Sequence, residues 1–317
     1  MIITISVLLF IFIAAMFVQW LLDGRNFILN LVEKLRIGRK SLEEWENYYR
    51  ENKNRSEIIV SFTTTPSRIR FIDLTLKSLF AQAIAPARVM LNIPRFSVRE
   101  KVEYVIPEHL LKLSSLKINR CDDFGPSTKL LPALALVDED VPVLVVDDDR
   151  IYPGQTIGQF QKAADKYREC GLALSGWRVP ADLTDRPSTL LGNLLKKPPV
   201  PVKGTQVTRL YEIDIMQGYA GYLVRPRFFN LGKTTDYSKA PREAFLVDDV
   251  WISAHCNVPR YLFPARWLCF NSLKLKRFYS DTSLGRMNRG DGNPRNRNNS
   301  IVLRYFANQW LCRRQTG

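Results

Sequence analysis

Three consecutive aspartates, Asp147, Asp148 and Asp149, follow directly on the apolar run 143–146. Adjacent carboxylates repel one another unless a cation or a hydrogen-bond network compensates them, and a hard divalent ion with oxygen ligands is the obvious compensator, so the triplet reads as a metal site. A solvated acidic turn at a strand end accounts for the same residues. A second acidic pair, Asp248 and Asp249, opens a helical pattern that places Asp248, Trp251, Ile252 and His255 on one face. Acidic residues are ordinary macrodipole partners at a helix start, so a general-base role for either rests on its combination with the triplet. Lys129 falls in the first turn of another helical pattern, where a lysine opposes the macrodipole and a bound anion explains it better. The stretch Thr63-Thr-Thr-Pro-Ser-Arg68 gathers hydroxyls and a guanidinium suited to a ribose, base or phosphate. An N-cap at Ser67 or Thr65 beside a solvated Arg68 reads equally from it. Gly218-Tyr-Ala-Gly221 would let backbone approach a ligand closely, as would a strand bulge. His255 has the apolar neighbours of a packed core histidine, and His109 is incidental.

The elements that must position these residues alternate. Strand patterns at 58–63, 88–93, 116–120, 141–147 and 171–175 are interleaved with helical patterns at 69–81, 98–113, 127–137 (bent at Pro132) and 156–168. Such alternation predicts an α/β fold, a mainly parallel sheet with flanking helices on both faces. In that architecture ligands collect at the carboxyl ends of the strands, which puts the aspartate triplet in a crevice. After Trp177 the alternation fails, and Pro180, Pro187, Pro198, Pro199 and Pro201 break up a long connection. Strand character returns at 206–213, 219–224 and 260–263, with a strong helix at 248–256 between the last two. The stretch 286–300, rich in Arg, Asn and Gly and almost free of apolar side chains, is expected to be mobile.

The chain of 317 residues can hold one large α/β domain plus an appendage. Its net charge of +15 suits nucleic acid, anionic lipid or a phosphorylated substrate. The basic residues are scattered and no reading module is present, which argues against nucleic acid. The five cysteines are widely spaced and lack a Cys-x-x-Cys pair, so a reducing compartment is the simpler inference. Residues 2–22 are apolar except Thr4, Ser6 and Gln19, long enough to cross a hydrocarbon core of about 30 Å. The features of a cleaved signal peptide are missing. No Lys or Arg precedes this segment, while Arg25, Lys34, Arg36, Arg39 and Lys40 follow it, so the positive-inside rule places the body in the cytoplasm. A lumenal, Golgi-type placement is the alternative, and Asn54 and Asn298 would then be glycosylation acceptors.

Phe27, Ile28, Leu31, Val32 and Leu35 recur at helical spacing among basic residues, as in a helix lying on an anionic membrane or in a plain linker helix. Ser41 with Glu44 forms a capping box that starts a further helix through Trp45 and Tyr49. The organisation expected is an anchor (1–22), a basic amphipathic linker (23–56), a catalytic domain (57–270) and a basic, partly mobile C-terminal segment (271–317).

In their order along the chain, Val145-Val-Asp-Asp-Asp149, Thr63 to Arg68, Asp123-Phe-Gly-Pro-Ser-Thr-Lys129, Gly218-Tyr-Ala-Gly221 and Asp248-Asp-Val-Trp251 resemble the elements of GT-A (Rossmann-like) glycosyltransferases of the bacterial family-2-like type. The resemblance implies a DxD element in which Asp147 and Asp149 hold Mn²⁺ or Mg²⁺. It further implies that Thr63, Thr65, Arg68, Asp123, Lys129, Asp147 and Asp148 bind a nucleotide-sugar donor. Gly218, Tyr219, Ala220, Gly221 and Trp251 would floor the donor and acceptor sites, and Asp248 or Asp249 would be the base of an inverting transfer to a glycan or lipid-linked acceptor. The chain departs from many relatives in lacking an evident histidine ligand after the late helix, which leaves the third protein ligand open. Two other readings compete. A haloacid-dehalogenase-type phosphatase also ends an apolar strand in Asp-x-Asp, but wants that strand first in its core and Thr or Val where Ile151 stands. A non-catalytic membrane scaffold would keep the fold without turnover.

Overall fold

In the computed structural model, residues 2–271 and 284–310 are described. Strands β1 (Ile59–Thr63), β2 (Arg88–Pro94), β3 (Leu116–Cys121) and β4 (Val143–Val145) pair in parallel. The others in the main sheet are β5 (Gly171–Ala173), β6 (Tyr211–Glu212), β7 (Tyr222–Val224) and β8 (Arg260–Leu262). The eight strands lie in the order β6-β8-β5-β7-β4-β1-β2-β3, and only β6 and β7 run against the rest. The mainly parallel α/β sheet expected from the alternation is therefore present.

Register brings the chemistry to one edge. Ser61 sits opposite Val145, so the chain leaves β1 and β4 at the same level, at Thr63 and Asp147. Antiparallel β7 pairs Tyr222 with Val145, so residues 218–221 enter the sheet from that same edge.

The helices of six residues or more among the described residues are α1 (Ile2–Asp23), α2 (Phe27–Gly38), α3 (Leu42–Glu51), α4 (Asp73–Phe80), α5 (Thr156–Lys166), α6 (Leu190–Leu195), α7 (Asp248–His255) and α8 (Asn298–Tyr305). Strand alternation sorts the core into two layers. Val60, Phe62, Leu144 and Val146 pack with α3, α4 and α5 on one face. Ile59, Val143 and Val145 pack with α7 and α8 on the other.

α1 is long and apolar enough to cross a membrane, and its hydrophobic window is not buried by the rest of the protein. Its C-terminal end is tied down: Gln206 Nε2 donates to Leu21 O (2.7 Å) and Thr205 Oγ1 to Gly24 O (2.6 Å). Gly24 has φ +67°, and a Cβ there would lie 2.9 Å from Lys203 Cβ, so only glycine seats this junction. The capping box at Ser41 forms, with Glu44 N donating to Ser41 Oγ (3.1 Å) and Ser41 N to Glu44 Oε2 (2.6 Å). The packed core does not begin near Glu57: Ile37, Leu42, Trp45 and Tyr49 already belong to it. Their large apolar surfaces bury against α4, and the Tyr49 ring meets Phe80 tilted at 46°, 5.3 Å between centroids.

Several expected elements differ. The helix expected at 98–113 is instead a short antiparallel ladder, Phe96–Ser97 with Val102–Glu103, followed by the four-residue helix Glu108–Leu111. Pro107 interrupts the helical pattern, since proline drives its predecessor out of the α region. The helix expected at 127–137 becomes a 3₁₀ turn, Gly125–Lys129, and a single α-turn, Leu131–Leu134. Ser175 leaves the main sheet for a three-stranded one formed by Ser175–Trp177, Val202–Lys203 and Ile215–Met216. The stretch 286–300 is docked on the body. Val302, Leu303, Phe306 and Trp310, just beyond it, insert into the core and carry the polar stretch down with them. There Arg297 pairs with Asp185 at 3.2 Å and Ser300 Oγ donates to Pro294 O at 2.6 Å. The remainder of the C-terminal segment, 272–283 and 311–317, lies outside the described residues.

Candidate active site

A cavity of about 360 Å³ opens at the edge where β1 and β4 end. Lys129 lies at its floor with a side chain only 8% exposed, its Nζ 2.8 Å from Asp147 Oδ1 and 2.7 Å from Asp248 Oδ2. The lysine thus joins the strand-end triplet to the start of α7. Burial acts to lower its pKa, but the carboxylates of Asp147, Asp248 and Asp249 outweigh burial and hold the ammonium well above its ordinary value. Burial acts to raise Asp147, and Lys129 outweighs it, leaving this carboxyl below its usual range.

The other two members of the triplet face a different cation. Arg68 reaches Asp148 Oδ1 at 2.6 Å and Asp149 Oδ2 at 3.0 Å. Arg150 Nε lies 3.1 Å from Asp149 Oδ1, and Thr64 Oγ1 donates to Asp148 Oδ2 at 2.5 Å. Burial, with Asp149 beside it, still pushes Asp148 up to about 6 against the pull of Arg68. Repulsion within the triplet is therefore met by three protein cations rather than left open, as the spacing alone suggested.

Asp249 stands apart. It accepts a hydrogen bond from Gly218 N (3.0 Å), and among the described residues no ion pair reaches it. Burial and the neighbouring Asp248 push its carboxyl up to about 8. A Cβ at Gly218 would fall 2.4 Å from Lys129 Nζ and 3.4 Å from Asp147 Oδ1, so a larger residue there must displace the lysine tip from its carboxylates.

The remaining residues singled out in the sequence divide into two groups. Thr63, Thr65, Asp123 and Tyr219 line the cavity together with Arg68, Lys129 and the five aspartates above. Thr63 Oγ1 donates to Asn92 O (2.7 Å), and Thr65 Oγ1 shares a hydrogen bond with Ser67 Oγ (3.1 Å). Asp123 is committed to architecture, accepting from Val98 N and Gly125 N, both at 2.7 Å. Tyr219 packs its ring under Arg150 at 5.0 Å, and its hydroxyl meets Ser175 Oγ at 2.9 Å.

Trp251 and Ala220 are not at the site. Trp251 is 1% exposed, donates from Nε1 to Thr234 O (2.8 Å) and stacks on Tyr237 at 4.3 Å. Three residues after Asp248 it has turned towards the core, away from the cavity. Ala220 is buried in the opposite core layer, and Gly221 (φ +93°) packs its backbone against Phe160. His255 is half-buried, its ring against Trp251 at 4.4 Å, and burial lowers its pKa.

Residues not singled out in the sequence also line the cavity: Thr64, Ser97, Arg99 and Tyr104, with Leu284, Gly285 and Asn288 from the C-terminal segment. Arg99 and Tyr104 were masked by the helical reading of 98–113. The Asn-rich composition of 286–300 gave only a weak sign of Asn288.

Six aspartates (Asp123, Asp147, Asp148, Asp149, Asp248 and Asp249) line the cavity against three cations, Arg68, Arg99 and Lys129. Oxygen donors in excess of positive charge, with two carboxyls pushed up, suit a hard cation. Among the described residues no three acidic, histidine or cysteine side chains converge as a preformed cage. That pattern matches an ion bound through one or two carboxylates and completed by substrate phosphates.

No protein-family model matches the chain, and no curated protein matches it. Among solved structures the chain is similar to S. aureus TarS 1-349 in complex with UDP, with 15% identity, TM-score 0.41, and 81% of this chain and 72% of that one covered. It is also similar to 4-diphosphocytidyl-2C-methyl-D-erythritol synthase, with 12% identity, TM-score 0.40, and 70% and 96% covered. A third likeness is to S. aureus TarS 1-349 in complex with UDP-GlcNAc, with 15% identity, TM-score 0.38, and 67% and 56% covered. At these scores the likenesses carry no argument about this chain.

Proposed function

We propose that this chain is a membrane-anchored glycosyltransferase of GT-A type. It would move a sugar from a nucleotide-sugar donor to a glycan or lipid-linked acceptor, with inversion. The observation that carries the reading is the meeting, in one cavity, of the strand-end triplet and the Asp248–Asp249 pair across Lys129. Single displacement needs a base on the acceptor side and compensated negative charge on the leaving-group side. Asp249 is the better base of the pair. Asp248 is bound to Lys129 at 2.7 Å, whereas Asp249 accepts from a backbone N–H, has no ion pair among the described residues, and has a carboxyl raised to about 8. A carboxylate of that basicity takes the acceptor hydroxyl proton more readily than an ordinary one.

Lys129 keeps Asp147 ionised, and Arg68 and Arg99 offer positive charge to the departing diphosphate. Asp147 and Asp149 would hold Mn²⁺ or Mg²⁺, which when bound adds charge stabilisation to the nucleoside diphosphate leaving group. A haloacid-dehalogenase-type phosphatase is less well supported, because the triplet follows β4, the fourth strand of the main sheet in chain order, and Ile151 stands where that chemistry wants Thr or Val. α1 supports the anchor, and the basic residues after it support a cytoplasmic body.

The test is thermal stabilisation of the detergent-solubilised full chain by UDP, GDP, CDP and dTDP with and without Mn²⁺. A ligand at about 100 times its Kd adds roughly 2.7 kcal/mol. The proposal expects a metal-dependent shift for one nucleotide that disappears in Asp149→Ala. Silence with all four nucleotides overturns it.

A further inference from the structure

Helix α6 is inside out for a surface helix in water. Leu190, Leu191, Leu194 and Leu195 form one face and are all exposed, Leu191 at 62%, while Gly192 is the residue buried against the body. A surface helix in a globular protein turns its apolar stripe towards the core, and a contiguous exposed patch marks an interaction surface.

Its position says what covers it. Lys196, which caps α6, donates from Nζ to Gln206 O (2.8 Å), and Gln206 Nε2 donates to Leu21 O (2.7 Å) in the last turn of α1. α6 is therefore fixed beside the point where α1 would leave the hydrocarbon, a level marked by Trp20, as aromatic belts mark it. Directly after that junction in the chain, α2 exposes Leu31, Val32 and Leu35. Lys196 and Lys197 end the leucine helix with the charge that anionic headgroups attract.

We propose that α6 is a second, non-spanning membrane contact whose four leucines enter the headgroup–acyl boundary of an anionic bilayer. The inference rests on α1 spanning that bilayer. With α1 and α2 it would hold the catalytic body flat on the membrane instead of leaving it free to swing on its anchor.

The test uses the full-length chain in phosphatidylglycerol/phosphatidylcholine nanodiscs of two kinds, with lipids brominated high on the acyl chains to read α6 and near the acyl-chain ends to read the middle of α1. Bromine quenches tryptophan emission at its own depth. The added emission of Leu194→Trp and of Leu191→Trp, relative to the unsubstituted chain, is compared with that of Phe12→Trp in the middle of α1. Both positions are exposed enough to accept the larger ring without repacking the core. The inference expects Leu194→Trp and Leu191→Trp to be quenched about as strongly as Phe12→Trp. Quenching at Phe12→Trp alone leaves the anchor intact and overturns the second contact. No quenching at any of the three overturns the anchor and the inference with it.

Discussion

Lys129→Met replaces a buried ammonium by an apolar side chain of similar length. Two charged contacts are lost, at 2.8 and 2.7 Å. Hydrogen bonds to charged groups contribute about 1.5–3 kcal/mol each, and removing one partner of a buried pair costs about 3–5 kcal/mol. A loss of about 4 kcal/mol in a domain of this size lowers Tm by roughly 8–16 °C.

The pH dependence is the sharper signature. In the native protein Lys129 holds the folded pKa of Asp147 below its ordinary value. That contribution to stability is present above the unfolded value and lost as pH falls through the folded one. Without Lys129, burial raises Asp147 above its unfolded pKa of about 3.9, and the sign reverses: stability is present below that value and lost as pH rises. The deficit of the variant should therefore be largest near about pH 8 and shrink towards about pH 5. Thermal unfolding of both proteins in the same detergent across that range reads it. A Tm loss of only a degree or two, or a deficit that does not change with pH, would refute the charge account of this cavity.

Asp249→Asn should lower kcat by about 10²–10⁴-fold while leaving nucleotide-induced stabilisation in place. In the native enzyme, kcat/KM should rise with pH as the Asp249 carboxyl, raised to about 8, loses its proton, and a pH–rate profile of the variant should lack that limb. Gly218→Ala puts a methyl 2.4 Å from Lys129 Nζ, and should destabilise by about 1–3 kcal/mol and weaken nucleotide binding, read by thermal shift and calorimetry. The Tyr222 hydroxyl is buried with no hydrogen-bond partner among the described residues. Tyr222→Phe should leave chemical denaturation unchanged or shift it up by about 1 kcal/mol, and a loss of that size would show the hydroxyl to be satisfied.

Local pattern carried much of the fold. Strand patterns interleaved with helical ones located β1 through β4 to within a residue or two, and Ser41 with Glu44 fixed the start of α3. Reading failed where a distant partner decides the conformation. The stretch 98–113 has helical spacing, but Asp123 draws Val98 into a turn beside Gly125 and Pro107 ends the helical option. The stretch 286–300 has the composition of a mobile segment and is ordered by apolar residues that follow it.

At the site, sequence alone determined which groups carry charge and on which side of the sheet they emerge, because strand direction and two-residue alternation are local properties. It named Asp147, Asp149, Lys129, Asp248 and Asp249, but it assigned the compensation of the triplet to an ion. Only the tertiary structure decided which cation faces which carboxylate: Arg68 comes from the loop after β1, Lys129 from the turn after β3, and both meet residues from β4. The same packing separated Asp249 from Asp248, adjacent in sequence and alike in chemistry. Side-chain direction at the start of α7 puts one on Lys129 and the other on a backbone N–H, and pKa follows from that environment rather than from residue type.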